Sequence, residues 1–209
     1  MRINQFEYFT FTCLDCPLEQ IKGYIQKRWG NSEKYKITRT PFKFDLYETS
    51  PLKGGAHFEK LYFFTPRTCE NKCIIFSNYS DGLSSLAYQI SEALRIKAYC
   101  FQISTNDTHD AMNAFSYIEN GKKVRTVYAM KDPKWKFHCQ GEIQPFEDKE
   151  LYQQKMIKRR LDKDALISYC IKLGIDIRDD AFLGKPTIRL GRAAVMVVQQ
   201  RRDTSSSVK

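Results

Sequence analysis

No apolar run in this chain approaches the length of a bilayer span, and the amino-terminal stretch MRINQFEYFTFTC lacks the apolar block of a signal peptide. That excludes a helical membrane anchor from the reading and makes a cytoplasmic protein, with no membrane partner, the expectation. Repeats, heptad arrays and low-complexity linkers are missing too, so solenoid and coiled-coil classes drop out. Histidine is scarce: His57, His109 and His138 are the whole supply, and no two stand at metal-ligand spacing. There is no G-x-S-x-G elbow. The turn Ser80-Asp81-Gly82 joins a strand to a helix, but it carries one glycine where a phosphate loop needs several, and Asp81 would repel the anion. Ser80 or Asp81 as a helix N-cap explains that turn without a ligand. His109 lies in a loop between Asp107 and Asp110, a setting that suits solvent as well as catalysis. His138 and Cys139 are strand neighbours, which point to opposite faces and cannot act as base and nucleophile together. The expectation is a non-enzymatic protein with no cofactor.

What the chain has in quantity is apolar and aromatic residues, 42% and 13% of its 209 positions, the makeup of a folded domain with a sheet-rich core. Ile3 to Cys13 alternates like a half-buried strand. Leu18, Ile21, Ile25 and Trp29 recur at helical spacing up to Gly30. The segments YKITRTPFKFDLYE and HFEKLYFFT read as strands around a Gly54-Gly55 turn, and CIIFSNY and IKAYCFQIS as buried strands on either side of a helix at Leu83–Leu94. AFSYIEN and KKVRTVYAM flank Asn120-Gly121, the strongest short hairpin signal, and KWKFHCQ supplies a third strand. In that hairpin Phe115, Tyr117 and Val127 read as the packed face, with Lys122, Lys123 and Arg125 outside. Helical patterns follow from Asp148 (DKELYQQKMIKRRL) and from Asp162, the second stopping at Gly174. TIRLGRAAVMVVQQ offers an added strand, and RRDTSSSVK reads as a disordered tail. The fold class expected is α+β: an antiparallel or mixed sheet with helices packed on one face and a C-terminal helical segment, as one domain over residues 1–180 with an extension over 181–209.

Two features point to partners. The net charge is +10, and much of the excess lies late, in KMIKRR and at Arg189, Arg192, Arg201 and Arg202. On a helix Lys155, Lys158 and Arg159 share one face and would track a phosphate backbone, so nucleic acid is the alternative partner. With Arg125 they are the candidate partner- or anion-binding residues. The seven cysteines are an odd count, and those inside apolar runs read as reduced core thiols. Cys13, Cys16, Cys69 and Cys73 form two close-spaced pairs, each at a turn, and are the candidate zinc ligands should the chain hold a metal.

From Met112 to Glu147, about a sixth of the chain, the order of residues resembles small bacterial proteins of the immunity type, found beside secreted polymorphic toxins. In those a strand ends at a glycine turn, the next strand carries an arginine, a tryptophan strand follows, and a glycine leads to Pro-Phe-Glu. The matching positions here are Gly121, Arg125, Trp135, Gly141 and Pro145-Phe146-Glu147. The resemblance implies a protein that binds and neutralises one toxin domain through a charged, complementary surface. Inhibitors of nuclease toxins tend to be acidic, so a charge of +10 fits an acidic or neutral toxin better, or binding through a local acidic patch.

Overall fold

A strand buried on both sides must be apolar, or fully hydrogen-bonded, on both sides. The segment YFTFTCL does this: Phe9, Phe11 and Cys13 turn to one core, while Thr10, Thr12 and Leu14 are buried against the other face. It forms β1 (Tyr8–Leu14), near the middle of a nine-stranded sheet. The computed structural model describes residues 8–41, 60–66, 69–77, 79, 81–104, 110–179, 182 and 194–200. In chain order these give β1, α1 (Leu18–Trp29), β2 (Tyr35–Pro41), β3 (Lys60–Phe64), β4 (Cys73–Ser77), α2 (Ser84–Leu94), β5 (Lys97–Ser104), β6 (Met112–Glu119), β7 (Lys122–Asp132), β8 (Lys134–Gln140), α3 (Lys163–Lys172) and β9 (Ala194–Gln200). Across the sheet the order is β2-β9-β3-β4-β1-β5-β6-β7-β8, and every pairing is antiparallel.

The α+β reading with an antiparallel sheet and a C-terminal helix holds. The helices, however, cover both faces rather than one. Leu18, Ile21, Ile25 and Trp29 of α1 and Leu86, Ala87 and Ile90 of α2 pack against Leu61, Phe63, Ile75 and Ala98. On the other face Ala165, Leu166, Tyr169 and Cys170 of α3 meet Phe9, Phe101 and Phe115. A central strand with two apolar faces requires this, because an uncovered face would leave phenylalanines or isoleucines in water. The added-strand reading of the late segment is found as β9, which lies between β2 and β3, so residues 194–200 belong to the sheet. Residues 201–209, and Gly54-Gly55, lie outside the described residues.

Local signals are followed unevenly. Asp162 caps α3 by accepting the Ala165 N–H at 2.9 Å. Asn120 and Gly121 both take left-handed φ, 50° and 73°, as the tight β6–β7 turn demands. The capping reading of the turn before α2 needs correction. Ser80 lies outside the described residues. Asp81 accepts the Leu83 N–H at 3.0 Å, one residue short of the helix, and the N-cap is Leu83 itself, at φ 53° with no side-chain cap. The helix expected after Asp148 is also corrected. Leu151–Gln153 and Ile157–Arg159 are separate 3-10 turns with extended backbone at Gln154 and Met156 between them. Asp148 accepts the Glu150 N–H rather than capping an α-helix.

Candidate binding site at the edge strand β8

The meander β6–β7–β8 ends the sheet, and within it lies a buried charged pair. Between β6 and β7 the register slips: Tyr117 faces Arg125, but Ile118 faces Lys123, so Val124 bulges out unpaired. Arg125 therefore shares the inward face with Val127, two residues on, and is 2% exposed; Glu147, on the loop after β8, is fully buried at the side chain. The expectation that Arg125 stands outside with Lys122 and Lys123 is thus reversed.

Each guanidinium nitrogen of Arg125 and each carboxylate oxygen of Glu147 is engaged. Arg125 Nε donates to the two Glu147 carboxylate oxygens at 3.0 and 3.2 Å, and Nη2 donates to Oε2 at 2.7 Å. Arg125 Nη1 donates to the Gly141 carbonyl at 2.7 Å. Glu147 also accepts the Gln144 N–H at 2.7 Å and the Tyr152 hydroxyl at 2.5 Å. The Tyr169 hydroxyl in α3 donates to Tyr152 at 3.3 Å and accepts the Asp148 N–H at 3.1 Å. Burial, reinforced by the bond to Glu147, raises the Tyr152 phenol; burial likewise raises Tyr169. Arg125 is held charged by Glu147, which outweighs its desolvation. A carboxylate with this many donors is committed to bracing the loop from Gly141 to Tyr152 against β7.

That braced loop forms one wall of a cavity of about 460 Å³ whose lining includes Cys139, Ile143, Lys149, Tyr152 and Gln153, with Arg125 also reaching it. Ile143 is 51% exposed beside it. A second hollow of similar size shares Ile143, Lys149 and Glu150 with the first and is lined also by Gln144, Glu147 and Lys172. The edge strand β8 has two different faces. Trp135 and Phe137 pack on the core with Phe115 and Tyr152, and Cys139, on the same side, lines the cavity. Lys134, Lys136, His138 and Gln140 are exposed on the other side. His138 stacks on Tyr128 of β7, ring centroids 5.1 Å apart.

The remaining candidates fall as follows. Lys155 and Arg159 are exposed and Lys158 is half-buried with partners of its own, but on 3-10 turns the three do not share an α-helical face. The turn does pack against β8, where the Arg160 guanidinium lies 5.5 Å from the centre of the Phe137 ring. The cysteines do gather near Lys72, whose ammonium pairs with Asp15 at 2.6 Å. Yet Cys13 and Cys73 sit on paired strands and face opposite cores, and among the described residues no three His, Cys, Asp or Glu side chains come together as a metal site. His57, His109 and Asp107 lie outside the described residues.

The parity signal for Arg125 was present in its two-residue spacing from Val127. Its partner Glu147, and the cavity, come from a loop with no periodicity to read. The chain matches no protein-family model, no curated protein and no solved structure.

Proposed function

We propose that this chain acts by binding another protein at the β8 end of its sheet, without chemistry of its own. Its sharpest form is the neutralisation of a bacterial toxin domain in the cytoplasm. The observation that carries this reading is the brace. Arg125, Gly141 and Glu147, three of the positions on which the immunity-type resemblance rests, are joined directly by hydrogen bonds. They fix the loop and cavity wall beside an edge strand. A pre-organised surface loses little entropy on association, which favours a binding role for it.

The test is capture with the tagged chain of residues 1–209 from native lysate with and without nuclease treatment, followed by identification of what is retained. The expected result is one stoichiometric protein that rebinds when purified and whose growth inhibition the chain relieves. Retained material that disappears on nuclease treatment would overturn the reading in favour of nucleic acid. In that case affinity would fall steeply with salt, and joint replacement of Lys155, Lys158 and Arg159 by Glu would abolish it.

A further inference from the structure

β8 ends the sheet, and among the described residues no strand pairs with its outer edge. Its backbone pairs with β7 alone among the described residues, where its one further hydrogen bond is the side-chain contact from Lys136 to Asp132. Edge strands are commonly protected from pairing by lysines, and β8 carries Lys134 and Lys136 on its solvent face. The same charges choose what can pair. A second copy of β8 would bring lysines against lysines, which is repulsive. An acidic strand would be attracted. One carboxylate already stands on this face: Asp132 pairs with Lys136 at 3.3 Å, an exposed contact that a stronger partner displaces, while Lys134 has no ion-pair partner among the described residues.

The inward side adds an independent demand. A strand laid along β8 would place alternate side chains beside Trp135, Phe137 and Cys139, and Cys139 borders the cavity of about 460 Å³. That cavity is framed by Ile143 and Tyr152, with Lys149 and Glu150 of opposite charge beside them, so it suits an apolar side chain, and the acidic preference comes from Lys134 and Lys136. From these two faces we infer that β8 takes up an extended segment of a partner protein in which acidic and apolar residues alternate, one apolar residue entering the cavity beside Cys139. Main-chain hydrogen bonds along the edge supply affinity, and the two faces supply selectivity. The inference rests on the protein-binding reading above and names the chemistry of its partner.

Cys139 is the most exposed of the free thiols and reports directly on the edge. The probe is a capped peptide, Glu-Val-Glu-Val-Glu-Val-Glu, as long as the seven residues of β8, added to the full chain during alkylation, with modification of Cys139 followed by peptide mapping. It is expected to slow alkylation of Cys139 by about tenfold at saturation, while Lys-Val and Glu-Ser versions of the same pattern do not. The K134E/K136E variant, changed only at exposed positions, should keep its thermal midpoint and lose the protection. Absence of protection, equal protection by the Lys-Val peptide, or full protection in K134E/K136E would overturn the inference. A captured partner that K134E/K136E retains as well as the original chain overturns the edge site and leaves protein binding standing. Protection by the acidic peptide alongside capture of nucleic acid only would overturn the function and leave the edge site standing.

Discussion

Arg125 and Glu147 hold each other where water does not reach, and their value shows when one is removed. A buried ion pair roughly balances its own desolvation, but a lone buried charge does not. Arg125→Met should therefore cost about 3–5 kcal/mol, and Glu147→Gln a similar amount, since each leaves the partner charge stranded. Changing both together, to Met and Leu, should recover part of the loss, and urea unfolding of the three variants measures the coupling. The thiols make a second prediction at this scale. Burial pushes Cys16 and Cys100 up to about 11, and it raises Cys13, Cys73 and Cys170 as well. In the unfolded chain each loses its proton near the ordinary thiol value of about 8.5, while the native state still holds it. The unfolded state then binds fewer protons, so stability falls as pH rises from that value toward 11, by about 1.4 kcal/mol per pH unit for each such thiol. The urea midpoint at pH 8 against pH 10 reads this, and replacing Cys100 by Val should reduce the slope.

Elements succeed or fail here by what their neighbours allow, and two glycines separate the cases. Gly141 takes φ +87°, and a Cβ there would collide with the carbonyl oxygen of the bulged Val124. Gly141→Ala adds left-handed strain to a backbone clash, a loss of about 2–5 kcal/mol, and it shifts the carbonyl that Arg125 holds. Gly23 sits mid-helix in α1 with open space around it, so Gly23→Ala should gain about 0.5–1 kcal/mol. Thermal unfolding of the two variants should move in opposite directions. The same contrast explains what could be read beforehand. α1, α3 and the β6–β7 hairpin follow their local patterns because periodicity, the Asp162 cap and the Asn120-Gly121 turn all agree with the packing. The stretch from Leu151 to Arg159 has a helical pattern yet breaks into 3-10 turns. There Tyr152 bonds Glu147 and the Arg160 Nε donates to the Gln154 carbonyl, tertiary bonds that a continuous helix would forgo. Leu83 as a left-handed N-cap has no local signal, since leucine there is strained and only the surrounding packing holds it.

At the scale of the molecule the open question is what a late strand does inside the sheet. β9 does not extend an edge; it separates β2 from β3, and among the described residues β2 has no other strand beside it. Met196, Val197 and Val198 are at most 7% exposed, and they face both cores, Val197 one and Met196 and Val198 the other. Removing the chain from residue 194 onward strips all three. At about 1.5–3 kcal/mol for each buried side chain the loss is roughly 5–9 kcal/mol, comparable to the whole stability of an ordinary domain. Among the described residues it also leaves one edge of β3, and both edges of β2, without a paired strand, which costs further. The truncated chain should therefore lose its cooperative urea transition and bind a hydrophobic dye, while a synthetic peptide spanning residues 190–209 should restore the transition when added back. A truncated chain that unfolds cooperatively at an unchanged midpoint would make β9 an appendage. The two faces of the sheet would then close without it, and β2 would have to draw its support from α1 alone.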